Sequence, residues 1–336
     1  MLTVVGPAPA PGHRAARHPE RPDRVDAVAA GIADLHLDEE LSTEPTRPAT
    51  GEELARVHEP AYLEHLRHIS DSGGGVLDPD TYATASSWDA ARHAAGGGIV
   101  AVERLRTTGG LGLVAARPPG HHALADRAMG FCLLNNVAVT ARALADGGER
   151  VAVVDWDVHH GNGTQAIFWD DPRVLYVSLH QWPCYPGTGR ATEVGGPDAP
   201  GLTVNLPLPP GTTGDVVDDA FERVAAPVIS SFAPKWVLVS AGFDAHRADP
   251  LADLALSSGD FARLAAAVAA LAPPGRLLLH LEGGYDLGAL RASVAATLGA
   301  LLGVAGPDEA PTAGGGDRTR VDDIIARRGA ALDELG

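Results

Sequence analysis

The chain has 336 residues, 45% of them hydrophobic, enough to bury a substantial core in an α/β fold, which often runs to this length as one domain. Its net charge of −17, with histidine neutral, excludes a binder of nucleic-acid backbone and is compatible with a cationic small substrate or basic peptide. The two cysteines, Cys132 and Cys184, make neither a disulfide framework nor a Cys-x-x-Cys zinc motif, which suits a reducing compartment.

The opening segment, MLTVVGPAPAPGHR, has neither a basic n-region nor a long apolar h-region. No run of about 18 apolar residues follows, so a cytoplasmic protein without a membrane partner is expected. Ser87–Arg106 reads as a helix, with Ser87 near its N-cap and Gly109-Gly110 closing it. Leu111–Ala115 is the first of five apolar runs of strand length and leads into RPPGHHA, with His121 and His122. Leu133–Asp146 reads as a helix stopped by Gly147-Gly148. Val151–Val154 is the second strand and runs into DWDVHHGNGTQ; Val174–Leu179 is the third and runs into HQWPCYPGTG. Val216–Phe232 reads as a helix, Trp236–Ser240 as a strand before AGFDAHRADP, and Gly259–Leu271 as a helix. Leu277–Leu281 is the last strand, before EGGYD, and Leu287–Leu302 the next helix. Gly303–Gly316 is rich in Gly, Pro and Ala and reads as a linker to a short helix, Arg318–Leu335. The expected division is one unit over 1–303 and a tail over 304–336. Continuous apolar strands are buried on both faces. Strand and helix in alternation imply an α/β fold, a central parallel sheet with helices on both faces.

Five strand ends thus deliver His, Asp or Tyr to one sheet edge, where parallel α/β sheets bind ligands. Asp157 and His159, two apart on extended backbone, point the same way. Asp244, from another strand end, is the best third ligand. Two carboxylates and one imidazole leave a position open for water or substrate. The set suits Zn²⁺, and Fe²⁺ or Co²⁺ as well. Read alone, the stretch also fits a satisfied loop with Asp157 capping a turn; its companions favour the metal. His121 and His122, after a rigid Pro-Pro-Gly turn, read as an acid/base pair. Asp155 would orient one imidazole and raise its pKa, and Asn162 would orient the other without adding charge. Tyr285, after Gly283-Gly284, would donate to a substrate oxygen that becomes negative; packing by the glycine turn is the plainer reading. Cys132 reads as a buried packing residue rather than a nucleophile. His160 is expected to turn away from the metal. The glycines fit neither a P-loop nor a dinucleotide fingerprint, and no Gly-x-Ser-x-Gly elbow occurs.

Taken in order, HPERPDR (His18–Arg24), RPPGHHA, GFCLLNN, DWDVHHGNGTQ, YPGTG, SAGFDAHRADPL and EGGYDLGAL resemble the histone deacetylase family, in its class II-like branch with the bacterial histone-deacetylase-like and acetylpolyamine amidohydrolases. The resemblance implies the arginase/deacetylase fold. It implies a zinc-dependent amidohydrolase that removes acetyl or other acyl groups from acylated lysine or polyamine-type amines. Zinc would be held by Asp157, His159 and Asp244. His122 would be the main general base and acid, with His121 its electrostatic partner. Asp155 would orient His121, and Asn162, which stands where class I-like members have Asp, would orient His122. Tyr285 would polarise the acyl carbonyl. Phe131 and Tyr185 would wall the substrate tunnel beside Gly130, and Asp80, in LDPDTYATAS, would be a rim residue holding a peptide backbone. Carbonyls around Asp155, Asp157 and His159, with Ser178 and Leu179, match an inner K⁺ or Na⁺ site, and Phe168, Asp171 and Val174 an outer one. Two-manganese ureohydrolases carry an additional aspartate after each paired motif. Gly161 and Gly242 stand in those places here, so one metal is expected. An inactive acyl-amine binder of the same fold is the alternative, and the sequence carries no signature of oligomeric state.

Overall fold

Runs of Val and Leu too short for a helix pair as strands when both faces can be covered. The computed structural model describes residues 1–7 and 12–335, so part of the opening segment, 8–11, lies outside it. Its strands are β1 (Leu2–Val5), β2 (Leu41–Glu44), β3 (Gly74–Asp78), β4 (Thr81–Thr84), β5 (Leu111–Val114), β6 (Val151–Asp155), β7 (Val174–Gln181), β8 (Thr203–Leu208), β9 (Trp236–Ala241) and β10 (Leu277–Leu281). Eight form one parallel sheet in the order β2-β1-β5-β10-β9-β6-β7-β8, and β3 with β4 makes a separate antiparallel hairpin. The helices are α1 (Asp23–Ala33), α2 (Gly51–Ala55), α3 (Pro60–Asp71), α4 (Ser87–Thr108), α5 (Asn136–Asp146), α6 (Asn162–Ile167), α7 (Gly214–Ala220), α8 (Ala226–Phe232), α9 (Ser258–Ala269), α10 (Leu287–Leu302) and α11 (Thr319–Leu335).

The pleat sorts each strand between two layers. Along β10, Leu277 and Leu279 pack with Val28 of α1, Phe261 of α9 and Leu290 of α10 in one core. Leu278 packs with Leu66 of α3, Leu105 of α4 and Val137 of α5 in the other. The expected parallel sheet with helices on both faces is therefore present. Its centre matters for function: β5, β10, β9 and β6 are consecutive neighbours. At roughly 4.8 Å per strand, the loops leaving these four ends fall within side-chain reach of one another.

The elements differ from their sequence reading in three ways. The helix expected from Leu133 begins at Asn136, because the Asn135 side chain caps it by accepting from Ala138 N at 3.0 Å. The helix expected over Val216–Phe232 contains a π turn, Phe221–Ala225, just before Pro227. Proline has no N–H for the preceding turn, and the wider turn absorbs the defect. Strands β1, β2, β8 and the β3–β4 hairpin have no counterpart in the sequence reading.

The tail is docked. Val321 and Ile324 of α11 are fully buried, and Arg328 donates to Gly201 O at 2.7 Å and to Thr203 O beside β8. The stretch between α10 and α11 is tied down by Thr312 Oγ1 donating to Asp260 Oδ2 at 2.7 Å and by Ser258 N donating to Glu309 at 2.8 Å. No helix of the described residues is long and apolar enough to cross a membrane.

Buried neutral histidines make the fold acid-sensitive. His58 is 1% exposed; its Nδ1 donates to Leu124 O at 2.9 Å and its Nε2 accepts from Asn135 N at 3.0 Å. Burial lowers its pKa to about 4. The unfolded chain takes up that proton near pH 6.5, and the folded chain only near pH 4. Stability is therefore whole above 6.5 and falls as pH drops toward 4, by up to about 1.4 kcal/mol per unit for this group. His280, lowered to about 3 by burial, acts in the same sense. Urea midpoints at pH 7 and pH 5 should differ, the latter being clearly lower; equal midpoints would contradict the buried-neutral assignment.

Candidate active site

The loops leaving β6 and β9 bring three ligand-type side chains together. One ligand atom from each of Asp157, His159 and Asp244 lies within 4.8 Å of the others. Asp157 Oδ2 accepts from Gly283 N at 2.8 Å, and Asp244 Oδ1 accepts from Val158 N at 3.0 Å. Asp244 Oδ2 is buried and has no hydrogen-bond donor; His159 Nδ1 is 3.2 Å away, within charge-pairing range but out of line for a bond. Burial, and then the neighbouring Asp157, push the Asp244 pKa up. Two buried carboxylates thus flank one imidazole, and one carboxylate oxygen is left without a donor. The donor set of two oxygens and one nitrogen therefore fits a divalent metal. A Cβ at Gly161 would overlap Asp155 and Tyr176, and one at Gly242 would overlap the Asp157 carboxylate, so neither position takes a further aspartate without a shift of its neighbours.

The loop after β5 sets two imidazoles beside this trio, their ring centroids 4.1 Å apart. His121 Nδ1 donates to Asp155 Oδ2 at 3.0 Å, and His122 Nδ1 donates to Asn162 Oδ1 at 2.8 Å. Burial opposes a charge on His121, but Asp155 and Asp157 outweigh it and raise its pKa to about 10. Burial, then the adjacent His121 and His159, hold His122 well below its usual value. Two carboxylates beside one ring, and burial with two neighbouring imidazoles around the other, have thus separated the two titrations. Asp155 also accepts from Tyr176 O–H at 3.0 Å.

His121, His122 and His159 line a cavity of about 200 Å³. Phe131 and Tyr185 stand in its walls, and Tyr185 and Leu251, each 37% exposed, mark its mouth. Phe131 has φ +67°, a costly value for an aromatic residue. It is held there by its N–H donating to Thr81 Oγ1 at 2.9 Å. Gly130 has φ +55°, and a Cβ there would strike the His122 ring. Asp80 lines the cavity, and its Oδ1 accepts from Gly130 N at 3.2 Å and from Thr81 O–H at 2.8 Å. The β3–β4 hairpin thereby braces the wall. Tyr285 lines the cavity from the β10 side, its ring 5.7 Å from that of Phe131.

His160 turns away, bonded to Thr188 Oγ1 at 2.8 Å and Gln165 Oε1 at 2.9 Å. Cys132 is fully buried, and burial pushes its thiol well up, so it is no ready nucleophile. Asp155 and Ser178 are register partners on β6 and β7, with Leu179 following, so the inner-cation residues are neighbours. In the outer group, the Asp171 carboxylate is already taken by Arg142 and Arg173, and the Phe168 and Asp171 carbonyls accept from Asp171 N and Val174 N, each at 3.1 Å.

Residues 18–301 match the histone deacetylase domain. The chain belongs to the histone deacetylase family. It is 40% identical over 279 residues to a histone deacetylase-like amidohydrolase of Pseudomonas aeruginosa, covering 81% of this chain and 73% of that one. It is 39% identical over 300 residues to a probable deacetylase of Archaeoglobus fulgidus, covering 87% and 82%. A crystal structure of the HDA15 HD domain matches with a TM-score of 0.88 and 36% identity, over 99% of this chain and 98% of that one. The fold is the arginase/deacetylase fold.

Several residues of this deacetylase-family site escaped the sequence reading. Arg24 is fully buried, donates to Gly284 O at 2.7 Å and to Glu282 O, and sits 4.8 Å from the Tyr285 ring centroid. Asp249 accepts from Tyr285 N at 2.6 Å and from Asp286 N at 3.1 Å, fixing the turn that carries the phenol. Glu282 is fully buried, and burial raises its pKa to about 7. Arg24 lies in HPERPDR and Glu282 in EGGYD, so the motifs marked both while chemistry named neither. Glu282, His121 and Cys132 form a second ligand-type trio. It does not fit a metal, because both Glu282 oxygens and His121 Nδ1 are already engaged.

Proposed function

We propose that the protein is a zinc-dependent amidohydrolase that removes acetyl or other acyl groups from acylated lysine or polyamine-type amines, with its catalytic unit in residues 1–303. One observation carries the reading: the orphaned Asp244 oxygen and Asp157 are grouped with His159, which lines an aromatic-walled cavity together with two imidazoles tuned apart. Zinc held by Asp157, His159 and Asp244 would acidify an attacking water and polarise the acyl carbonyl. Neutral His122, oriented by Asn162, takes the proton of that water and later delivers one to the leaving amine. His121, kept charged by Asp155, adds positive potential where negative charge develops. Tyr285 donates its phenol O–H to the oxyanion. Phe131 and Tyr185 clasp the apolar stem of the amine, and Gly130 lets the wall approach His122. Asp80 positions that wall and offers a carboxylate at the mouth to a substrate backbone N–H or a second amine. A K⁺ or Na⁺ bound through backbone oxygens around Asp155, Asp157, His159, Ser178 and Leu179 would brace the loop after β6.

The experiment is acetate release by zinc-loaded protein from an acetyl-lysine peptide and from acetylspermidine, each with and without chelator. Release from at least one, abolished by the chelator, is the expected result. Binding of both without release would favour the inactive acyl-amine binder, and neither binding nor release would overturn the reading.

A further inference from the structure

Glu282, at the end of β10, has both carboxylate oxygens in use. Oε2 accepts from Gly120 N at 2.6 Å and from His121 N at 3.1 Å. Oε1 accepts from Ser240 Oγ at 3.1 Å, at the end of β9. No carbonyl among the described residues accepts from the N–H of Gly120 or of His121. The residue's own carbonyl is held by Arg24, which reaches on to Gly284 O under the Tyr285 ring. One side chain therefore joins the ends of three neighbouring strands, and its main chain opens the turn that presents the phenol.

We propose that Glu282 is a positioning residue: its side chain clamps the backbone of the His121-His122 loop to the Tyr285 turn and so sets the distance between the proton-transferring imidazoles and the phenol. The proposal rests on the deacylase reading above. The reasoning is geometric. A loop of Pro-Pro-Gly-His-His has no ladder partner of its own at positions 120 and 121, and a buried N–H left unpaired costs about 1–3 kcal/mol. Without Glu282 the loop would shift to find acceptors and carry both imidazoles with it. A displacement of about 1 Å at reacting groups is enough to cost on the order of 10²-fold in rate. Substrate contacts at the cavity mouth, made by Tyr185, Leu251 and Asp80, stay where they are. The cost therefore falls on turnover and spares substrate binding.

The test compares Glu282→Gln, Glu282→Asp and Glu282→Ala with the wild type as full-length, zinc-loaded protein. Readouts are kcat and KM on the acylated amine that the wild type cleaves, with zinc per chain measured on the same samples. Glutamine keeps the length and an oxygen for the two N–H groups, and its amide can donate to Ser240 Oγ. Aspartate keeps the charge but is one methylene short. The expected order of kcat is wild type, then Gln within about fivefold, then Asp and Ala each down by about 10²-fold, at near-constant KM and one zinc per chain. A role through charge alone would reverse Gln and Asp, and that order overturns the proposal. So does wild-type kcat in the aspartate or alanine variant. If alanine fails to fold, the Gln–Asp comparison decides. A wild type that is inactive on every acylated amine would instead count against the deacylase reading itself.

Discussion

Asp244→Asn is expected to yield a folded protein that no longer binds zinc tightly and has lost activity by about 10³-fold or more. The asparagine keeps an oxygen for Val158 N, the bond that Asp244 Oδ1 now accepts at 3.0 Å, so the loop after β9 has no reason to move. What disappears is the inward carboxylate charge of Oδ2, which no donor satisfies. Losing even an outer hydrogen-bond partner of a metal ligand typically costs about 10–100-fold in affinity or activity, and losing a ligand itself should exceed that. Stability supplies a second readout with the opposite sign. In metal-free protein, Asp244 is a buried anion whose pKa is raised by burial and by Asp157. Neutralising it should hold or raise the apo thermal midpoint. Added zinc stabilises only what binds it, by about 2.7 kcal/mol at a hundred times Kd. Wild type should therefore gain a higher midpoint with zinc while the variant shows no change. Equal zinc-induced shifts in the two proteins would remove Asp244 from the ligand set.

The residues just discussed were readable from the sequence for a physical reason. Five strands that end in the core are buried on both faces, so their sequences are continuous apolar runs, and the polar residue that ends each run is conspicuous. Val151–Val154 running into Asp155 and Asp157, and Trp236–Ser240 running into Asp244, are such boundaries. The edge elements lack that contrast. β2 reads Leu-Ser-Thr-Glu and is partly exposed, and β8 contains Asn205 and Pro207 and owes its cover partly to α11. The same limit applies inside the site. Ligand-type residues announce themselves through spacing, as Asp157 and His159 do. Asp249, Arg24 and Glu282 work by hydrogen-bonding to backbone groups distant in sequence, 36 residues away for Asp249 and Tyr285, and 162 for Glu282 and Gly120. No local period encodes such a bond. The helix over Val216–Phe232 was legible in its extent but not in its π turn, because the defect depends on how Pro227 is accommodated.

Tyr285→Phe is expected to lower kcat by about 10²–10³-fold, the usual cost of one lost oxyanion donor, with KM changed by less than about threefold. The change removes one oxygen. The ring keeps its contacts with Phe131, at 5.7 Å between centroids, and with the Arg24 guanidinium, at 4.8 Å. The turn keeps its shape, since Asp249 binds the backbone N–H groups of residues 285 and 286 and not the phenol. Asp157, His159 and Asp244 are untouched, so zinc per chain should equal that of the wild type. The phenol is also well suited to donate rather than ionise: burial pushes its pKa well above the usual value, and Arg24 only partly opposes this. A donor that strengthens its bond only as the carbonyl oxygen becomes negative contributes to the transition state and little to substrate binding, which is why the loss should fall on kcat. Equal turnover by the two proteins on the same acylated amine would remove Tyr285 from the mechanism. A parallel loss of zinc would move its role from the oxyanion to the integrity of the metal loop.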